Sequence, residues 1–186
     1  MRYRKADIVA RALEVLDAYG LADLSMRRLG NELGVQASAI YHHFANKQTL
    51  LAALADEILE RGRRERTATA WDEQVLEIGR ELRDAMLAWQ DGAELVATVR
   101  AFGLGASRPA EDLDQALAGS GLDEETRPVA VNTVLHFVFG DALAEQTQIQ
   151  ASSAGAIPDA PREGSDFELG LALVVDGIRA HARQSA

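Results

Sequence analysis

The chain has 186 residues, 47% hydrophobic and 26% charged, which suits one or two globular domains with a buried core and excludes an intrinsically disordered chain. With no cysteine, disulfides and thiolate metal sites are excluded, and no apolar run is long enough for a membrane span, since Ala93 to Leu104 is broken by Thr98 and Arg100. The formal net charge of −10 opposes non-specific affinity for nucleic acid, but residues 1–47 carry a net +2 and the remainder −12. A mildly basic head on an acidic body suits a protein that meets DNA with one end only. No signal peptide is visible, and the expected compartment is the cytoplasm.

Arg4 to Tyr19 reads as an amphipathic helix, with Ile8, Val9, Ala12, Leu13 and Leu16 recurring at three and four. Gly20 is its expected stop. Ser25 is a good N-cap for the next helix, in which Leu29 and Leu33 share one face, and Gly34 ends it. Val35 falls in a turn, and Ile40 and Phe44 repeat the four-residue spacing in a third segment. Together these apolar residues make the small core of a helix-turn-helix. Gln36 is a poor cap, so the third helix is expected to be short. Arg27, Arg28, Ser38, Tyr41, His42, His43 and Lys47 are left outside that core, where a backbone-gripping and base-reading surface needs them. Three helices are too few to bury a robust core alone.

Asn46 caps a fourth helix, expected from Lys47 to about Arg66, with Leu50, Leu51, Leu54, Ile58 and Leu59 as its apolar stripe. Arg61, Arg63, Arg64 and Arg66 are read as the solvated end of that helix, where cations suit its dipole. A break at 67–70 precedes a helix from Trp71 to about Gln90 carrying Val75, Ile78, Leu82, Met86 and Trp89. A turn at Asp91-Gly92 leads to a short apolar helix, Ala93 to Ala101. After a Gly/Ser loop comes an acidic helix, Ala110 to Ala118. Pro128 to about Gln150 is the most hydrophobic long helix, apolar around much of its circumference, which implies burial on more than one side. Ala151 to Ser165, with two prolines and two glycines, is expected to be a loop, and Asp166 to about Arg183 a final helix. Two strongly apolar C-terminal helices are what a homodimer interface built as a four-helix bundle requires. The alternative is that both are core of a monomer.

The pieces Ala12-Leu13, Gly20-Leu21, LSMRRLGNELGV and AIYHHFANKQTLLAAL resemble the TetR family of one-component transcriptional repressors. The run Tyr41, His43, Phe44, Asn46, Lys47, Leu50 and Leu51 is the most diagnostic part. Trp71, Asp91-Gly92-Ala93, LHFVFG and DFELGLALVVDGI make the body similar to the tetracycline-repressor subgroup. The resemblance implies an all-α fold: a three-helix helix-turn-helix DNA-binding domain over 1–47, then a helical effector-binding and dimerisation domain over 48–186. It implies that Arg27 touches a base or phosphate and that Tyr41, His43 and Lys47 hold phosphates, with Ala37, Ser38 and Ala39 in the base-reading places. The small residues there imply a different operator from that of the tetracycline repressors, with contact to a thymine methyl open to Ala37 or Ala39.

By the same resemblance the drug-site positions of the subgroup correspond to Ile78, Leu82, Val96 and His136. The magnesium-binding histidine is replaced by Val96, and a lone His136 is a poor Mg²⁺ site, so no metal or cofactor is expected. The implied pocket is more apolar, with Ile78, Leu82, Met86, Val96, Val99, Phe102, His136 and Phe139 as its candidate lining. Trp89, Met86, Phe102, Phe137 and Phe139 are core residues first, and a histidine on an apolar helix is more often a buried, satisfied one. No glycine-rich phosphate loop, nucleophile motif or metal-ligand spacing occurs, and adjacent His42 and His43 point about 100° apart on a helix, so no enzyme is expected. The expected function is a ligand-responsive repressor: a homodimer on a palindromic DNA operator, released by a small apolar or amphipathic effector. The alternative is a DNA-binding architectural or adaptor dimer that senses nothing.

Overall fold

The computed structural model describes residues 3–158 and 166–185. Its described residues form α-helices throughout: α1 (Lys5–Asp23), α2 (Met26–Leu33), α3 (Ala37–Tyr41), α4 (Lys47–Arg61), α5 (Trp71–Leu87), α6 (Gly92–Ala101), α7 (Arg108–Leu117), α8 (Thr126–Ser153) and α9 (Phe167–Ser185). The all-α expectation holds. No described helix is long and apolar enough to cross a membrane. The expected loop at Ala151–Ser165 is helical to Ser153, and its residues 159–165 lie outside the described residues.

The chain divides into two compact units, one of Met1–Gly62 with Ala85–Ala106 and one of Arg63–Asp84 with Ser107–Ala186. In the first, the start signals act as their chemistry dictates. The Ser25 hydroxyl accepts the Arg28 N–H at 3.1 Å, and the Asn46 carboxamide oxygen accepts the Thr49 N–H at 2.9 Å, each satisfying one of the helix's unpaired donors. Gly34 ends α2 at φ 66°. Gly30 permits the tight turn that follows, because a Cβ there would lie 2.9 Å from the Val35 carbonyl oxygen. Leu13, Leu16, Leu24, Leu29, Ile40, Phe44, Leu50, Leu54 and Ile58 are buried. Leu33 and Val35, expected in the same core, are only half-buried. The three N-terminal helices are completed by α4 and by α6, which packs on α4; Leu95, Val96 and Val99 of α6 are buried.

In the second unit α8 packs against α7 and α9. Phe167 and Phe137 stack at 5.6 Å between centroids, and Arg83 lies 4.9 Å over the Phe167 ring while pairing with Asp141 and Glu145. The expectation for the arginine cluster is corrected here. α4 stops at Arg61 and the chain runs on without helix through residues 63–69, so the later arginines do not decorate a helix end. Arg66 instead donates to Glu81 at 2.6 Å and to Asp112 at 2.8 Å, and the Arg64 N–H donates to Glu81 at 3.2 Å. Glu81 is 8% exposed, and a carboxylate that far from water needs these donors.

Replacing Arg66 with methionine keeps much of the stem's packing but leaves Glu81 without its main counter-charge. The expected loss is about 2 kcal/mol, between the exposed and fully buried limits for an ion pair. It is read as a lower urea midpoint at unchanged m-value. A further Glu81→Gln substitution should restore part of that loss.

Candidate nucleic-acid interface and effector residues

The nine residues expected at a DNA surface sit on α2, α3 and the α3–α4 junction. Arg27, Ser38, Ala39, Tyr41, His42 and His43 are exposed, and Arg28, Ala37 and Lys47 are half-buried. α3 is five residues long and Gln36 provides no side-chain cap, as its poor capping chemistry predicts. Its inward residue is Ile40, fully buried, followed by Phe44 at 1% exposure. Ala37, Ser38, Ala39 and Tyr41 therefore take the remaining, outer positions of one short turn of helix. An open groove of about 680 Å³ runs beside them, lined by Tyr3, Leu33, Val35, Ala39, His42 and His43 among others.

Intramolecular bonding separates these donors into two groups. Arg28 is held by Asp23 at 3.2 Å and lies 4.3 Å over the Tyr19 ring, so its guanidinium is already committed within the chain. Arg27, Tyr41, His42, His43 and Lys47 have no side-chain hydrogen bond or ion pair among the described residues. In a chain of net charge −10, cations and polar donors without an internal partner among the described residues are chemically suited to an anionic partner.

The candidate effector residues divide between the units. In the first, Met86, Val96 and Val99 are buried but Phe102 is 66% exposed. In the second, Ile78 and Leu82 are buried, Phe139 is half-buried and His136 is exposed. Two expectations are thereby corrected. Phe102 is not a core residue of the single chain, because α6 ends at Ala101 and the ring lies in the loop beyond it. His136 is not a buried, satisfied histidine, because it lies on the side of α8 opposite Val134, Leu135 and Val138. No group of three or more His, Asp or Glu that could hold a metal ion occurs among the described residues.

A further feature of the second unit was only half legible in its sequence. On α9, Leu169 and Leu173 are 64% and 63% exposed, and a Cβ at Gly177, one turn on, would meet open space. On α8, Val129 is 62% and Leu143 40% exposed, and His136 and Gly140, also exposed, fall between them at helical spacing. Each helix thus has one apolar stripe inside its own unit and a second, largely apolar stripe outside. The all-round hydrophobicity of α8 announces a second buried side, and the single chain leaves that side uncovered.

Comparison with known proteins identifies the family. The family model for bacterial regulatory proteins of the tetR family matches residues 8–54, and that for the tetracyclin repressor-like C-terminal domain matches residues 65–163. The chain is 31% identical over 191 residues to the Escherichia coli class A tetracycline repressor protein from transposon 1721, covering 92% of this chain and 88% of that one. It is also similar to the crystal structure of Mycobacterium smegmatis BioQ, with 43% identity, a TM-score of 0.89 and coverage of 96% and 99% of the two chains. A crystal structure of BioQ with its double-stranded DNA operator matches at 41% identity and a TM-score of 0.84, over 96% of this chain and 99% of that one. TetR-family proteins are DNA-binding, dimeric regulators of transcription rather than enzymes. By its helix-turn-helix, its helical body and these matches across both, the chain belongs to the TetR family of transcriptional regulators, with a tetracycline-repressor-like C-terminal domain.

Proposed function

We propose that the protein is a repressor that binds a palindromic operator as a homodimer and is released from it by a small apolar or amphipathic effector. The observation that carries this reading is the cluster of Arg27, Tyr41, His43 and Lys47, donors with no partner among the described residues, around an outward α3. Residues 1–47 act as the reading head and 48–186 as the effector-binding and dimerisation body. In the head, Tyr41, His43 and Lys47 hold phosphates. Lys47 is the first residue of α4, where free backbone N–H groups also favour an anion. Arg27 reaches a base or phosphate from the start of α2, and Ala37, Ser38 and Ala39 meet base edges.

The dimer forms through the exposed stripes of α8 and α9, which gives two heads and hence two half-sites. The effector contacts include Ile78 and Leu82 of the second unit, whose side chains offer apolar area and no charge. Binding of the effector favours a head spacing that does not match the half-sites. Moving such a two-state population fully takes several kcal/mol of differential affinity.

The test begins with the operator titrated against the protein over a range of KCl concentrations. Lys47→Ala should weaken binding to every DNA sequence alike and lower the magnitude of the salt slope by about one per head. A change in preference at one base pair with the slope unmoved would overturn the phosphate role of Lys47.

A further inference from the structure

The segment ahead of α1 belongs to the head's outer surface. The Tyr3 hydroxyl donates to the Leu33 carbonyl oxygen at 2.9 Å, which pins the segment to the end of α2. Tyr3 also lines the groove shared with Ala39, His42 and His43. Two residues on, the Lys5 ammonium lies 5.1 Å from the centroid of the Phe44 ring. Phe44 directly follows His43 and precedes Lys47 by three residues. The chain therefore carries a positive charge from its N-terminal end to the α3–α4 junction, beside the groups already assigned to phosphate.

Lys5 is exposed, and among the described residues it has no carboxylate partner. By contrast Arg11, farther along the same helix, is tied to Glu14 and Glu32. A cation resting on a ring face keeps its stem ordered without being neutralised, which lowers the entropy lost when it meets an external anion. A lysine ammonium is a compact point charge without the planar fork that reads guanine, so the partner it suits is a backbone phosphate.

We propose that Lys5 is a further DNA contact. Anchored on Phe44, it binds a phosphate beside the one taken by Lys47 and extends the interface to the N-terminal segment Tyr3–Lys5. This rests on the reading of the head as an operator-binding surface.

The experiment uses the full chain and its operator duplex, titrated across KCl concentrations, with wild type, Lys5→Met, Lys5→Arg and Lys47→Ala compared. Methionine keeps an apolar stem on Phe44 and removes the charge. Lys5→Met should weaken operator binding roughly three- to tenfold at moderate salt and lower the slope by about one per head, while Lys5→Arg keeps both. A methylphosphonate scan of the duplex supplies a readout that a folding role does not move. Neutralising the contacted phosphate should weaken wild type but leave Lys5→Met unchanged at that position. A wild-type slope in Lys5→Met beside a reduced slope in Lys47→Ala overturns the proposal and leaves the operator reading intact. Lys5→Met weakened with no phosphate at which the difference from wild type vanishes also overturns it, because the side chain then acts only by packing. A wild-type protein that binds no duplex with salt dependence overturns the operator reading and this contact with it.

Discussion

The double substitution Leu169→Glu and Leu173→Glu is expected to give a folded monomer that binds operator at least about a hundredfold more weakly. Both side chains are more than three-fifths exposed in the single chain, so no in-chain core is lost and the helical circular dichroism is retained. In the proposed dimer each contributes roughly 1.5–3 kcal/mol when buried. Four such side chains per dimer are replaced by four carboxylates, which a self-complementary interface places near one another. The loss on the DNA side is one of avidity: a second head tethered by the dimer rebinds at high effective concentration, and a monomer has none.

The neighbouring Leu171→Glu is the control. Leu171 is fully buried and its methyl groups reach within 2.7 Å of where a Cβ on Gly79 would lie, so that variant loses the fold itself. Sedimentation velocity at micromolar concentration, with operator titration beside it, reads both. A double variant that still sediments as a dimer would remove α9 from the interface.

The second large effect is expected from Gly20→Ala. Gly20 has φ 78° and ψ 173° inside the span of α1, a conformation that strains any residue with a Cβ by roughly 1–2 kcal/mol. The space is closed as well: a Cβ would stand 2.7 Å from an Asp91 carboxylate oxygen. That same oxygen accepts the Leu21 N–H at 2.6 Å, and the Gln90 N–H donates to Asp17 at 3.3 Å. The methyl group therefore displaces the carboxylate that satisfies the backbone at the break in α1, a further 1–3 kcal/mol for a backbone group left unpaired. The sum, about 3 kcal/mol, corresponds to a fall in Tm of roughly 6–12 °C for a chain of this size. Asp91→Ala, which keeps the glycine and removes the acceptor, should show the part due to the unpaired Leu21 N–H, together with the cost of alanine at the φ of 56° that Asp91 adopts. Equal melting of Gly20→Ala and wild type would refute both the backbone strain and the carboxylate contact.

The contrast between α2 and the residues after α4 shows where sequence reading reaches its limit. Ser25, Leu29 and Gly34 each act within a few residues of themselves, through a cap, a shared face and a left-handed stop. Their roles are therefore legible from spacing alone. The arginines at 61–66 look alike on the same terms. Arg61 pairs with Glu57 one turn earlier, as a helix end should, while Arg66 crosses to Glu81 and Asp112, 15 and 46 residues away. No local pattern distinguishes the two.

The same holds at the head. Arg27 and Arg28 are adjacent and chemically identical, and only the placement of Asp23 and the Tyr19 ring shows that the second is engaged within the chain. Lys5 does not stand out from spacing, because its distance in sequence from Phe44 hides their meeting in space. The exposure of Phe102 and His136 is not legible from spacing: Phe102 follows the last residue of α6, where helical periodicity no longer applies, and His136 adjoins the buried Leu135 on α8, although the environment on a helix changes over 100° from one residue to the next.

The sequence by itself determined the helix-turn-helix, its caps and stops, the buried stripe of each long helix and the membership of the family, because all of these are written in short-range periodicity and side-chain chemistry. Only the tertiary structure decided which of several like charges stay unpaired within the chain and which apolar stripe is left for a partner. Those outcomes depend on residues far apart in the chain meeting in space. A charge is neutralised, or a hydrophobic face covered, only by what the fold brings against it.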